Sequence, residues 1–450
     1  MRVCLVYDCL YPYTVGGAER WYRNLAERLL QEGHEITYLT LRQWPRGERL
    51  ELDPRIRVVV AGPRMALYTV PPAPRRRILP PLVFGAGVLW HLLRHGRSYD
   101  VVHTCAFPYF SLLAAALARP LGRYGLVVDW FEVWSGEYWR GYLGGLGGRA
   151  GELVQRVCAH VPQRAFCFSL LHAERLRELG LRGPITVLRG LYAGASKSQP
   201  PARARGTRPF EGPPLAQTPT HAGGEQSPAE NSKNDVHNTP PFAENSKNDV
   251  HKTPPFAENP KHDIHNTPPL VLFAGRLIPE KRVTVGVAAV ARAAQRIAGL
   301  QGVFYGDGPE RDALHRAISE HDAAGFIFAP GFAAGEQVDA DMSRALCVLL
   351  PSEREGYGMV VVEASAHSTP AVVVAAPDNA AVELVEQDVN GVVASSADPE
   401  AIAAAIVRVY EAGAAMREST ARWFAENAEL LSLEGSLRVV LVSYAHRQAV

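Results

Sequence analysis

Two doubly wound α/β domains in tandem, separated by an insertion without fixed structure, are what this 450-residue sequence predicts. Three observations lead there. Short apolar runs alternate with amphipathic stretches through residues 1–195, the same rhythm resumes over 269–422, and residues 196–268 between them hold little aliphatic content. Strands that recur between helical stretches need crossover connections and so form parallel sheets. The final segment, 423–450, reads as helical.

In the first half, Arg2 to Tyr7 reads as a buried strand, Ala18 to Gln31 as a helix, and Ile36 to Leu39 as the next strand after a turn at Gly33-His34-Glu35. Val58 to Val60, Val101 to Thr104, Leu126 to Asp129 and Phe166 to Ser169 continue the series. In the second half the strands are Leu270 to Ala274, Gly302 to Tyr305, Phe326 to Ala329, Ala345 to Leu350 and Ala371 to Val374. Helices are expected at Thr284 to Ala298, Arg311 to His321, Val360 to His367 and Glu400 to Glu411. Between the halves a 14-residue unit recurs, with Ala229-Glu230-Asn231 returning at Ala243 and Ala257. Each unit offers one Phe and one Val or Ile, and its prolines break any helix, so it cannot bury an apolar face as a solenoid repeat must.

Composition narrows the function classes. With 47% hydrophobic residues the chain can fill two cores, and a net charge of +1 gives no overall reason to expect a nucleic-acid partner. Six scattered cysteines form no C-x-x-C pair and point to a reducing, cytoplasmic setting rather than a disulfide framework or a metal site. Met1 to Asp8 does not read as a signal peptide. The apolar stretch Ile78 to Leu93 is interrupted by Pro80, Pro81 and His91 and falls short of a membrane span. Arg75-Arg76-Arg77 before it is compatible with peripheral docking on the inner face of an anionic membrane, or with a buried helix that begins in a solvated basic turn.

The chemistry concentrates at strand ends, where ligands of parallel sheets bind. Pro351 to Glu363 runs from a strand through a glycine-rich turn, Glu355-Gly356-Tyr357-Gly358, into a helix that carries Glu363. Glycines let backbone N–H groups approach a ligand, the helix start favours a diphosphate, and two carboxylates suit sugar and ribose hydroxyls. Gly275-Arg276 with Lys281 forms a basic loop after another strand, a guanidinium and an ammonium suited to clamp phosphates. Gly306-Asp307-Gly308 follows a third strand, and Gly16-Gly17 joins the first strand to the first helix. The latter is not Gly-x-Gly-x-x-Gly, and no phosphate-loop motif exists, which disfavours a nicotinamide enzyme or an ATPase.

Taken together, these motifs resemble glycosyltransferase family 4 (glycosyl transferases group 1), whose fold is GT-B, two Rossmann-like domains facing across a cleft. The resemblance spans nearly all the chain outside the repeats and adds Thr369-Pro370 after the glutamate motif. It implies a retaining, metal-independent transfer from a UDP- or GDP-linked sugar to a glycan, glycolipid or other lipid-linked acceptor, without a cofactor. The first domain would hold the acceptor and the second the donor, with the last segment crossing back. It implies catalytic roles for Arg276, Lys281 and Glu355, and donor contacts from Gly16, Gly17, Gly275, Gly308, Gly356, Tyr357, Gly358 and Glu363. Phe131 stands where relatives usually carry an acceptor-side histidine, so Asp129 or Glu132 would take over acceptor contacts; Arg189-Gly190 and Ser368 are further departures. The aromatic residues from Trp130 to Tyr142 suit sugar stacking, lipid contact or core packing. Rival readings are a sugar-nucleotide epimerase or phosphorylase of the same fold, and a catalytically silent nucleotide-binding scaffold.

Overall fold

A computed structural model of the chain describes residues 1–14, 16–45, 47, 50–67, 76–194 and 268–445. The repeat segment lies outside the described residues, as does Arg75.

The N-terminal sheet has seven parallel strands in the order β3-β2-β1-β4-β5-β6-β7. These are β1 Arg2–Val6, β2 Glu35–Leu41, β3 Arg57–Gly62, β4 Val101–Cys105, β5 Gly125–Trp130, β6 Arg164–Cys167 and β7 Ile185–Val187. The connecting helices are α1 Gly17–Gln31, α2 Leu79–His95, α3 Phe110–Gly122, α4 Gly136–Leu143, α5 Gly145–Ala159 and α6 Leu170–Glu178. Side chains alternate across a strand, so β1 feeds two cores. Val3 and Leu5 pack with Trp21 and Leu25 of α1 on one face. Cys4 and Val6 pack with Phe84 of α2 and Leu112 of α3 on the other. The expected strand Phe166 to Ser169 ends earlier because Ser169 caps α6, its hydroxyl accepting from the His172 amide at 3.2 Å.

The C-terminal sheet has six parallel strands in the order β10-β9-β8-β11-β13-β15. They are β8 Leu270–Ala274, β9 Gln301–Tyr305, β10 Ile327–Gly331, β11 Cys347–Leu350, β13 Ala371–Val374 and β15 Gly391–Ala394, while β12 Arg354–Glu355 and β14 Asp378–Asn379 pair separately. Its helices are α7 Val283–Ala294, α8 Arg311–Glu320, α9 Gly335–Arg344, α10 Met359–Ala366 and α11 Pro399–Leu431. In each sheet the strand order reverses beside the first strand, between β1 and β4 and between β8 and β11, which opens a crevice at the carboxyl ends.

Helix α11 is interrupted at Gly413 (φ 55°, ψ −134°), and α12 Leu433–Ala445 follows it onto the N-terminal sheet. There Leu437, Val440 and Tyr444 join the core that holds Val3 and Leu5. The Gly190 amide donates to Ser436 Oγ at 3.1 Å, and Tyr192 bonds the backbone on both sides of Ser432. No helix among the described residues is long and apolar enough to cross a membrane. The stretch Ile78 to Leu93 is α2 and its cap, and Arg76 turns inward to pair with the buried carboxylate of Asp8 instead of facing outward as a basic docking residue.

Candidate active site between the two sheets

The loops after β8 and β11 are built as one unit. Leu277 is buried and anchors the first, its amide donating to the Asp307 carbonyl at 2.9 Å. The Glu353 amide donates to the Glu280 carbonyl at 2.8 Å, tying the second loop to the first. Pairing of β12 with β14 then fixes Glu355, whose Oε1 accepts from Ser352 Oγ at 2.7 Å and from Lys281 Nζ. The Lys281 ammonium is therefore already engaged by a carboxylate. Gly358 caps α10 at φ +99°, and a Cβ there would lie 2.5 Å from that of Ala381, so both backbone and space require glycine.

These loops wall one side of a cavity of about 720 Å³, a volume suited to a sizeable small-molecule ligand. Gly275, Arg276, Lys281, Glu355, Gly358 and Glu363 all line it. The opposite wall is α1, beginning with Gly16 and Gly17 and continuing with Arg20, Arg23, Asn24 and Glu27. Residues three and four apart share a helix face, so this polar stripe follows from the α1 spacing. Arg20 and Arg276 carry no ion pair among the described residues, and Arg20 Nε is buried without a hydrogen-bond partner. Burial raises the Glu363 carboxyl above the ordinary glutamate range, with Arg20 opposing the shift. Glu19, beneath the α1 start, is likewise raised by burial and further by Asp8, while Arg76 and Arg276 oppose.

Several expected site residues lie elsewhere. Gly308 does not line the cavity: it has φ +155°, and a Cβ would lie 2.3 Å from the Leu277 carbonyl oxygen, so it serves the packing of two loops. Gly356 and Tyr357 also sit outside the cavity wall, where the two domains touch. A Cβ on Gly356 would lie 2.9 Å from the Phe131 carbonyl, and the Tyr357 hydroxyl donates to the Arg189 carbonyl. The acceptor-side expectation for Asp129 is corrected. Its carboxylate is fully buried, accepts from Trp21 Nε1 at 2.7 Å, and lies 2.9 Å from His103 Nε2, whose other nitrogen meets the Tyr444 hydroxyl. Glu132 is corrected too. It accepts from Trp134 Nε1 at 2.6 Å and pairs with Arg354 of the other domain, so it spans the domain contact instead of facing the cavity. Much of the aromatic cluster is packing: Trp130 and Trp139 are buried, and Trp134 meets Phe107 and Trp139 in tilted contacts and Tyr142 edge to face.

The cavity is also lined by residues that the motifs do not single out, the polar stripe of α1 and Phe332, and by Asp307 of the Gly306-Asp307-Gly308 turn. Phe332 follows β10, is 79% exposed and lines the cavity, an apolar ring at a strand end with nothing packed over it. A lone Phe in Gly331-Phe332-Ala333 is a faint signal, whereas the α1 stripe was legible from Gly17 onward.

The architecture defines a fold class, GT-B, two Rossmann-like domains around a cleft. A sucrose-phosphate synthase from Thermosynechococcus elongatus superposes with a TM-score of 0.70 at 16% identity, over 99% of this chain and 98% of that one. Anabaena HepE in complex with UDP gives 0.66 at 16% identity, over 99% and 100%. Residues 15–190 match the model for Glycosyltransferase Family 4 and residues 256–429 that for Glycosyl transferases group 1. The chain belongs to this glycosyltransferase family. Among curated relatives, the α-D-kanosaminyltransferase of Streptomyces kanamyceticus is 32% identical over 124 residues, 28% of this chain and 32% of its own. The 2-deoxystreptamine N-acetyl-D-glucosaminyltransferase of Niallia circulans is 31% identical over 102 residues, 23% and 26% respectively. The matches thus span about a third or less of these relatives' lengths.

Proposed function

We propose that this protein transfers a sugar from a nucleotide-diphosphate donor to a hydroxyl-bearing acceptor, with the retention and metal independence that its family resemblance implies. The observation that carries the reading is the convergence of Arg276, Lys281, Glu355, Glu363 and the α10 start on one cavity. Neighbours solved with UDP and with UDP-glucose support a nucleotide-sugar donor.

In this reading Glu363 accepts hydrogen bonds from the ribose hydroxyls and the exposed ring of Phe332 offers a stacking face to the base. The diphosphate lies at the amino end of α10, where free N–H groups and the helix dipole favour negative charge. Arg276 makes no salt bridge among the described residues, although the Glu19 carboxyl lies within its electrostatic reach, and so is available to stabilise charge that develops on the departing diphosphate. Lys281 acts more as a positioned donor, its charge shared with Glu355. Glu355, oriented by Ser352 and Lys281, accepts hydroxyls of the transferred sugar. The polar stripe of α1 faces this group and suits a hydroxylated acceptor. Six free, buried cysteines suit a cytoplasmic setting.

The test is release of nucleoside diphosphate from a panel of UDP- and GDP-sugars, with and without acceptor. Arg276→Ala is expected to lower turnover about 100-fold with little change in nucleotide affinity, as for other groups that stabilise developing charge. Turnover within a few-fold of the unaltered protein would refute the role of Arg276, and failure of every donor to bind would refute the reading itself.

A further inference from the structure

We propose that the outer face of α2 and α3 is a docking surface for an anionic lipid bilayer. The inference rests on surface chemistry and not on the transferase reading. The two helices lie side by side in the same direction. A Cβ on Gly85 of α2 would lie 2.8 Å from Phe110 Cβ at the start of α3, and one on Gly96 just past α2 would lie 3.1 Å from Gly122 Cα at its end. Their inner sides fill the core with Phe84, Val88 and Leu112. Their outer sides are apolar as well. On α2 the exposed stripe is Leu79 (60%), Leu82, Trp90 (62%) and Leu93, positions that return to one helix face, and on α3 it is Leu117 (68%) and Leu121, one turn apart. Seven of the seventeen large apolar side chains exposed among the described residues belong to these helices and the α2 cap Ile78. Such a concentration marks an interaction surface rather than ordinary scattered exposure.

Charge decides what the surface meets. From residue 54 to residue 128 the sequence holds ten arginines and one acidic residue, Asp100, a net of +9 in a chain whose total is +1. Asp100 pairs with Arg2. Arg76 is spent inward on Asp8, but Arg77, Arg94, Arg97 and Arg123 are exposed around the apolar stripes. The Arg94 guanidinium lies over the Trp90 ring, which places an amphipathic aromatic beside a cation, a pairing suited to the headgroup level of a bilayer. An apolar strip bordered by arginines can bury its leucines in the acyl boundary while the guanidinium groups meet lipid phosphates. A second copy of the chain fits less well, because a self-complementary contact would set this cationic border against itself.

The test is co-sedimentation of the full chain with vesicles of phosphatidylglycerol mixed into phosphatidylcholine, and with vesicles of phosphatidylcholine alone. Binding is expected on the anionic vesicles, declining as salt is added, and absent on the neutral ones. Trp90→Glu is expected to abolish it, and Arg94→Glu with Arg97→Glu to lower the partition coefficient by at least roughly fivefold for each arginine reversed. Arg316→Glu on α8, exposed on the other domain, should leave binding unchanged, and all four proteins should melt alike. Equal binding to both vesicle types, no binding to either, or sedimentation velocity showing a dimer that Trp90→Glu dissolves would overturn the proposal.

Discussion

Arg354→Ala should open the cleft. Arg354 lies on β12 of the C-terminal domain, yet its guanidinium pairs with Glu132 of the N-terminal domain, lies 3.5 Å from Glu280, and sits 4.5 Å above the Tyr138 ring. Tyr138 in turn donates to Glu280 at 3.1 Å. The side chains of Arg354, Glu132 and Glu280 are 16%, 28% and 24% exposed, between the fully buried pairs whose disruption costs about 3–5 kcal/mol and the surface pairs that contribute about 0–1 kcal/mol. An intermediate value of about 2 kcal/mol, the stacking included, is expected for the closed arrangement. That shifts the closed-to-open ratio roughly 30-fold. Small-angle scattering should show a larger radius of gyration, and the transfer rate should fall because water enters the cleft and the two walls separate. Combining Arg354→Ala with Glu132→Ala should give less than the sum of the two effects, by about 1 kcal/mol or more. Unchanged scattering together with strict additivity would show that the pair does not hold the domains.

Two further outcomes follow from the donor wall. Because burial raises the Glu363 carboxyl, falling pH protonates it before ordinary carboxylates, so nucleotide affinity should begin to decline above the usual glutamate range; by calorimetry with UDP and GDP, Glu363→Gln should weaken binding roughly 10- to 100-fold and remove that dependence. Gly358→Ala places a Cβ 2.5 Å from Ala381 Cβ at φ +99°, and thermal unfolding should show a loss of about 2–4 kcal/mol, whereas Gly325→Ala, with open space around its Cβ, should be nearly silent.

What was legible in the residues was local. Buried strands such as Leu270–Ala274 and Ala371–Val374 announce themselves as short apolar runs between turns, and both appear with the expected limits. The strand-end loops could be located because glycines, cations and carboxylates cluster after those runs. What was not legible depends on partners far away in the chain. Asp129 and Glu132 look alike as acids in an acceptor-side loop, but one is enclosed by Trp21 and His103 and the other is met by Arg354, 222 residues on. Tyr357 stands inside the glycine motif, where a donor contact is expected, whereas its hydroxyl crosses to Arg189, 168 residues earlier. Lys281 and Glu355 lie 74 residues apart in separate motifs, and only the folded loops reveal that they neutralise each other.

The return of α12 also matters for how the molecule is made. Leu437, Val440 and Tyr444 complete a core begun by Val3 and Leu5, so the N-terminal domain is synthesised well before the segment that finishes it. Until α12 has been synthesised, the N-terminal sheet keeps one greasy flank uncovered and the buried His103–Asp129 pair lacks its tyrosine. A truncation ahead of Leu433 therefore injures the N-terminal domain, more than 200 residues from the cut.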